Sequence, residues 1–138
     1  MSKTRRKFLK ESAGGALALG LAPALLNSCS IPKTDHNNMF VHHVFFWLHD
    51  PQNEEVRKAF QEGLEKLVTI ETIKFKHLGI PADTDRPIID TSYAYSLLVA
   101  FDDKAGHDIY QEHPVHKEFI ANCEQYWSKV QIYDSVPY

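Results

Sequence analysis

Residues 109–119 read IYQEHPVHKEF and place Tyr110, His113 and His116 at successive spacings of three around Pro114. An imidazole with an ordinary pKa near ~6.5 can take and return a proton at neutral pH, and a phenol can hold an oxyanion by donating its O–H. Acid–base work on a small molecule is therefore one reading of the segment. The plainer reading is a helix junction, because a proline ring ends one helix and suits the first turn of the next.

Spacing separates the two histidines. His116, Phe119, Ile120, Cys123 and Trp127 fall at helical offsets of 0, 3, 4, 7 and 11, which puts His116 on the buried stripe of the second helix. His113, beside Pro114, reads as a junction residue. A buried imidazole needs polar company. Tyr110, one turn before His113, supplies it, and His43 on the first strand is expected to face the same interior. Asp134, in IYDSV near the end of the chain, is expected to be structural and to accept a hydrogen bond from a buried histidine.

Metal binding is the competing use of these imidazoles. His113 and His116 stand at i, i+3, and His42, His43 and His49 crowd one strand. Neighbouring strand residues such as His42 and His43 point to opposite faces, however, and no acid or thiolate falls at ligand spacing from either group. No metal is expected. The sequence also has no Gly-rich phosphate loop, nucleophile elbow or paired-carboxylate motif, so no cofactor is expected either.

The elements that must position these residues begin at Met39. MFVHHVFFWLHD is a β-branched and aromatic run with apolar residues on both parities, Val41, His43, Phe45 and Trp47 against Phe40, His42, Val44, Phe46 and Leu48. Such a strand should be covered on both faces. In the next segment Val56, Ala59, Phe60, Gly63, Leu64 and Leu67 form a helical stripe, with Asn53 as its cap and Glu54 and Glu55 in its first turn. TIKFKHLGI alternates as a second strand and SYAYSLLVAF reads as a third. The helical region around Pro114 follows, and VQIYDSV is a last strand.

This order predicts an α+β fold of the ferredoxin-like βαββαβ kind, a four-stranded antiparallel sheet with helices on one face. Large apolar groups remain on the other face, and nothing left in the chain can cover them. A second copy stacked sheet on sheet, a homodimer, is the economical solution.

The first 28 residues are a different text. TRRKFLK is a basic head with paired Arg5 and Arg6, followed by an apolar stretch broken by Gly14, Gly15, Gly20 and Pro23 and ending in LNSC. This layout resembles a twin-arginine signal closed by a bacterial lipobox, with Cys29 the residue lipidated. Residues 1–28 are then a signal peptide, 29–38 a polar tether and 39–138 the domain. The expected location is the periplasmic side of the cell envelope, held to a membrane only through the N-terminal lipid.

Cys123 would then lack an intramolecular partner, and its place on the apolar helix face reads as a small hydrophobe. Removing the signal takes away five basic residues and one acidic one. The 15 basic and 18 acidic residues become 10 and 17, a net charge of −7 with histidine neutral. A body of that charge repels phosphate backbones, which argues against nucleic acid as a partner.

Taken together, HHVFFWL, LGI, VAFDD, IYQEHPVHKEF and the terminal IYDSV resemble the stress-responsive dimeric A/B barrel family (Dabb) over about residues 39–137. Tyr-x-x-His-Pro-x-His is the most specific part of the likeness. The resemblance implies a dimeric α+β barrel with a pocket between sheet and helices, lined here by His43, Phe45, Trp47, Phe60, Leu97 and Phe101. The family's plant polyketide cyclase closes its substrate by intramolecular aldol condensation. A tyrosine and a histidine of that enzyme match Tyr110 and His116, and a first-strand histidine matches His43. The sequence departs from the cyclase at Gly63, where that enzyme has a tyrosine, so the pocket should differ in shape.

Three functions follow as expectations. The first is a binding domain for a small, partly apolar molecule. The second is a cofactor-free lyase or cyclase with His116 as base and Tyr110 as oxyanion donor. The third is a structural dimer without a ligand.

Overall fold

The β-branched and aromatic run forms strand β1, Phe40–Leu48, and its capped successor forms helix α1, Glu54–Leu67. Asn53 caps α1 as its pattern predicts, its side-chain oxygen accepting from the Glu55 and Val56 amides. Strands β2, Phe75–Gly79, and β3, Tyr95–Phe101, come next, then helices α2, Lys104–Glu112, and α3, Pro114–Cys123, and strand β4, Trp127–Ser135. The computed structural model describes residues 38–138. The expected signal at 1–28, the lipidated Cys29 and the tether up to residue 37 lie outside them.

The strands form one antiparallel sheet in the order β2-β3-β1-β4. This is the predicted ferredoxin-like arrangement, and the helices lie on one face. Phe46 of β1 meets Phe60 of α1 at 5.1 Å between ring centroids and Phe119 of α3 at 6.1 Å, while Tyr110 of α2 meets His42 at 5.9 Å. The even positions of β1 therefore face the helices. Cross-strand pairing carries Leu97, Val99 and Phe101 of β3 and Val130, Ile132 and Asp134 of β4 to the same side.

Two details differ from the helical pattern. The stripe that was to run from His116 to Trp127 stops at Cys123, and a short 3-10 turn, Glu124–Tyr126, leads straight into β4. Trp127 still reaches the core, by another route. A register shift between Trp47 and Leu48 leaves Ser128 as an extra residue in β4 and sets Trp127 opposite Leu48. Its ring then packs 5.6 Å from Phe46 and 5.9 Å from Phe119.

Helices α1 and α3 pack closely because Gly63 allows it. A Cβ at Gly63 would stand 2.6 Å from Cys123 Sγ and 3.3 Å from Phe119. Cys123 is buried and unbridged, the small hydrophobe its position suggested. Among the described residues no helix is long and apolar enough to cross a membrane.

Candidate functional site

The junction at Pro114 is real and has a catalytic-looking neighbour. His113 is the N-cap of α3, its Nδ1 accepting from the Val115 amide at 3.1 Å, and Pro114 occupies the first turn. This capping role turns His113 to the surface, where its Nε2 lies 3.5 Å from Glu71. His116, one turn further, sits edge-on to Tyr110 at 4.7 Å. Together they border a cavity of about 180 Å³ between the sheet and helices α2 and α3.

Apolar side chains form most of this cavity, including Val44, Phe46, Leu97, Phe119 and Val130; the polar groups are His42, Tyr110, Gln111 and His116. A volume near that size holds one benzene-sized ring. A larger groove of about 340 Å³ runs past Gln61, Glu65, Leu78 and Tyr95, between α1 and the β2–β3 side of the sheet. It has no imidazole in its lining, whereas His42 and His116 both border the smaller cavity.

His42, not His43, is the first-strand histidine of the site. It is buried, and its Nδ1 lies 2.6 Å from Asp134 Oδ1 across the β1–β4 pairing. A carboxylate only accepts, so Nδ1 carries the proton and Nε2 keeps the lone pair. Asp134 thus accepts the hydrogen bond from a buried histidine that was expected of it. His107, absent from the sequence reading, joins the group at 5.0 Å from His42, stacked on Phe40 at 4.5 Å. Gln111 holds its Nε2 at 3.0 Å.

Burial sets the charge states. It pushes the His42 pKa below the ordinary value more strongly than the Asp134 hydrogen bond and charge pull it up. His116 is lowered first by burial and then by the fields of His42 and His107, against a hydrogen bond to the Gln111 backbone and the Glu112 charge. Tyr110, almost wholly buried, has its pKa raised by desolvation and stays a protonated donor. The arrangement can therefore offer a neutral imidazole and a phenol O–H to one ligand.

The pocket lining implied by the resemblance needs correction. Leu97 lines the cavity. Phe60 and Phe101 have no exposed surface and serve as core behind it, Phe101 packing 5.2 Å from Tyr110. His43, Phe45 and Trp47 lie on the opposite face of the sheet, paired with Tyr133, Gln131 and Lys129. The reason is the two-residue period of a strand, by which a shift of one position exchanges the faces. Both parities of β1 are apolar, so the pattern held no sign of which one meets the helices. A signal for His107 did exist, since it stands three residues before Tyr110 on one side of α2.

Fold and site define an α+β ferredoxin-like domain with a histidine–tyrosine pair between its sheet and helices. The sequence profile of the stress responsive A/B barrel domain matches residues 40–137, and the chain belongs to this family, Dabb. A Dabb family protein with a ferredoxin-like fold from Mesorhizobium loti has a TM-score of 0.61 at 24% identity, covering 73% of this chain and 98% of its own. A protein from Arabidopsis thaliana gives 0.60 at 25% identity, covering 72% and 95%. A dimeric ferredoxin-like protein of unknown function from Thermobifida fusca gives 0.59 at 19% identity, covering 72% and 91%. No curated protein matches the chain.

Proposed function

We propose that the cavity beside Tyr110 and His116 binds a small, partly apolar molecule about one ring in size, with an oxygen that these two residues recognise. The observation that carries this reading is the 4.7 Å Tyr110–His116 pair set into an otherwise apolar cavity of about 180 Å³. A structural dimer without a ligand would need no such space.

Catalysis is the second reading, favoured by the neutral state that burial gives both side chains. His116 would take a proton from the carbon next to a carbonyl, and the electron pair would move onto the carbonyl oxygen, held by the Tyr110 O–H. Attack of this enolate on a second carbonyl of the same molecule would form the carbon–carbon bond. The imidazolium would then return its proton to the new alkoxide. No cofactor enters these steps.

Acetophenone is a suitable probe, a single ring with exchangeable methyl protons. Binding should shift the NMR signals of Leu97 and Val130, and loss of its methyl protons in D2O would report proton abstraction. His116→Ala should retain the fold, bind more weakly through Tyr110 and the apolar lining, and stop exchange. Absence of ligand-induced shifts at the cavity across a panel of single-ring ketones and phenols would remove the binding reading, and exchange undiminished in His116→Ala would remove the catalytic one.

Supporting a homodimer is the open aromatic face of the sheet, together with the description of the Thermobifida fusca and Bacteroides fragilis proteins as dimeric. The N-terminal text supports export and lipid anchoring at Cys29 on the periplasmic side of the envelope. Radiolabelled palmitate should enter the wild-type chain in cells and not Cys29→Ala; equal labelling would exclude Cys29 as the anchor.

A further inference from the structure

We propose that His42, His107 and Asp134 form a binding site for a divalent transition-metal ion of the zinc type. One nitrogen of each imidazole and one carboxylate oxygen lie within 4.8 Å of one another, the one such group among the described residues. Two imidazoles and a carboxylate suit borderline ions such as Zn²⁺ or Co²⁺, whereas Ca²⁺ and Mg²⁺ favour all-oxygen sites. Three protein ligands leave a fourth position for water or for an oxygen of a bound molecule.

An independent observation points the same way. His107 Nδ1 is buried and makes no hydrogen bond, with Asp108 Oδ1 at 3.6 Å its nearest ionic neighbour. Buried imidazole nitrogens are ordinarily satisfied, and this one stays unpartnered on a ring 5.0 Å from that of His42. Whichever nitrogen of His107 takes the ion, the other has a group to orient it. Gln111 lies 3.0 Å from Nε2, and the Asp108 carboxylate lies towards Nδ1.

Supports and access are also in place. His42 belongs to a central strand, and the His107 ring is held by stacking on Phe40 and edge contact with Phe101. Asp134 is on an edge strand with its side chain 44% exposed, which gives an ion a route in and a ligand able to adjust. Ligands around zinc stand roughly 3–3.5 Å apart, as bond lengths of about 2.0–2.2 Å require, so closure needs a movement of the order of an ångström. In the metal-free form the 2.6 Å His42–Asp134 hydrogen bond keeps the two groups together.

The test is titration of the untagged, chelator-dialysed full-length chain with Zn²⁺ by calorimetry, and with Co²⁺ by visible absorption. One ion per chain is expected, with Co²⁺ bands of the intensity of a four- or five-coordinate site. His107→Phe keeps a ring on Phe40 and should weaken binding by more than about tenfold, since loss of even an outer-shell partner typically costs about 10–100-fold. His43→Ala and His113→Ala, on other surfaces, should bind as wild type does. Melting midpoints without metal would show that His107→Phe is folded. Absence of stoichiometric binding by the wild type, or equal binding by a folded His107→Phe, overturns the proposal. So does loss of binding in His43→Ala or His113→Ala. Acetophenone exchange does not enter this outcome, so it stands or falls apart from the acid–base reading.

Discussion

The two faces of the sheet come from the same four strands and are both rich in rings, yet they have opposite surroundings. On the helix side Phe46 is sealed among Phe60, Phe119 and Trp127. On the other side Phe45 packs on His43 at 4.2 Å and Tyr93 at 4.9 Å, and Lys129 caps Trp47 at 4.1 Å, with no second layer among the described residues. Neighbours His42 and His43 divide likewise, one hydrogen-bonded to Asp134 in the interior and the other on the open face. Residue type is the same at both positions; what differs is the layer each meets. The helix side is sealed by the domain's own helices around its cavity, and the open side keeps its rings uncovered by them.

Deleting one ring from each face should give the largest contrast. Phe46→Ala is expected to lower unfolding free energy by about 3–5 kcal/mol, since it empties a packed site. Phe45→Ala should cost far less in a dilute, monomeric sample, and equal urea midpoint shifts would break the comparison. Trp47→Ala tests what the open face is for. Self-association measured by sedimentation should weaken by about 2 kcal/mol, roughly thirtyfold, and an unchanged dimer would mean that this face is not the contact.

The histidine pair gives a smaller effect. Asp134→Asn removes the charged partner of buried His42 and should cost about 1.5 kcal/mol. His43→Ala should stay within about 0.5 kcal/mol, and a reversal in chemical denaturation would return His43 to the interior. Gly63→Ala should be net destabilising by about 1 kcal/mol, because overpacking against Cys123 and Phe119 exceeds the gain in helix propensity. Adding Cys123→Ala should recover part of the loss by making room; a stabilised single variant would show that the helices can separate freely.

Acidification completes the series. His116 has a folded pKa below its unfolded value near ~6.5, so its neutral form is favoured in the native state. Its contribution is complete above that unfolded value and is lost as pH falls through it towards the lower folded pKa. Urea unfolding should therefore show less stability at pH 5 than at pH 7.5. A smaller drop is expected in His116→Phe, and an equal drop would assign the pH dependence to other groups.

Most of the fold was legible from local chemistry. Period-two and helical patterns, Asn53 as a cap and Pro114 at the first turn of α3 each act within a few residues, so the order βαββαβ could be read along the chain. The helical stretches on either side of Pro114 that carry Tyr110 and His116 were legible too, but the contact of the two rings depends on how α2 and α3 join at His113. Strand facing was not. Both parities of β1 are hydrophobic, and only the packing of α1, α2 and α3 decides that Val44 and Phe46 go inward and Phe45 and Trp47 outward. For the same reason the meeting of His42, His107 and Asp134, from β1, α2 and β4, is a tertiary fact. Sequence fixes a side chain's neighbours along its own helix or strand; which elements face one another is settled by the burial of the whole, and the rest of the site depends on that.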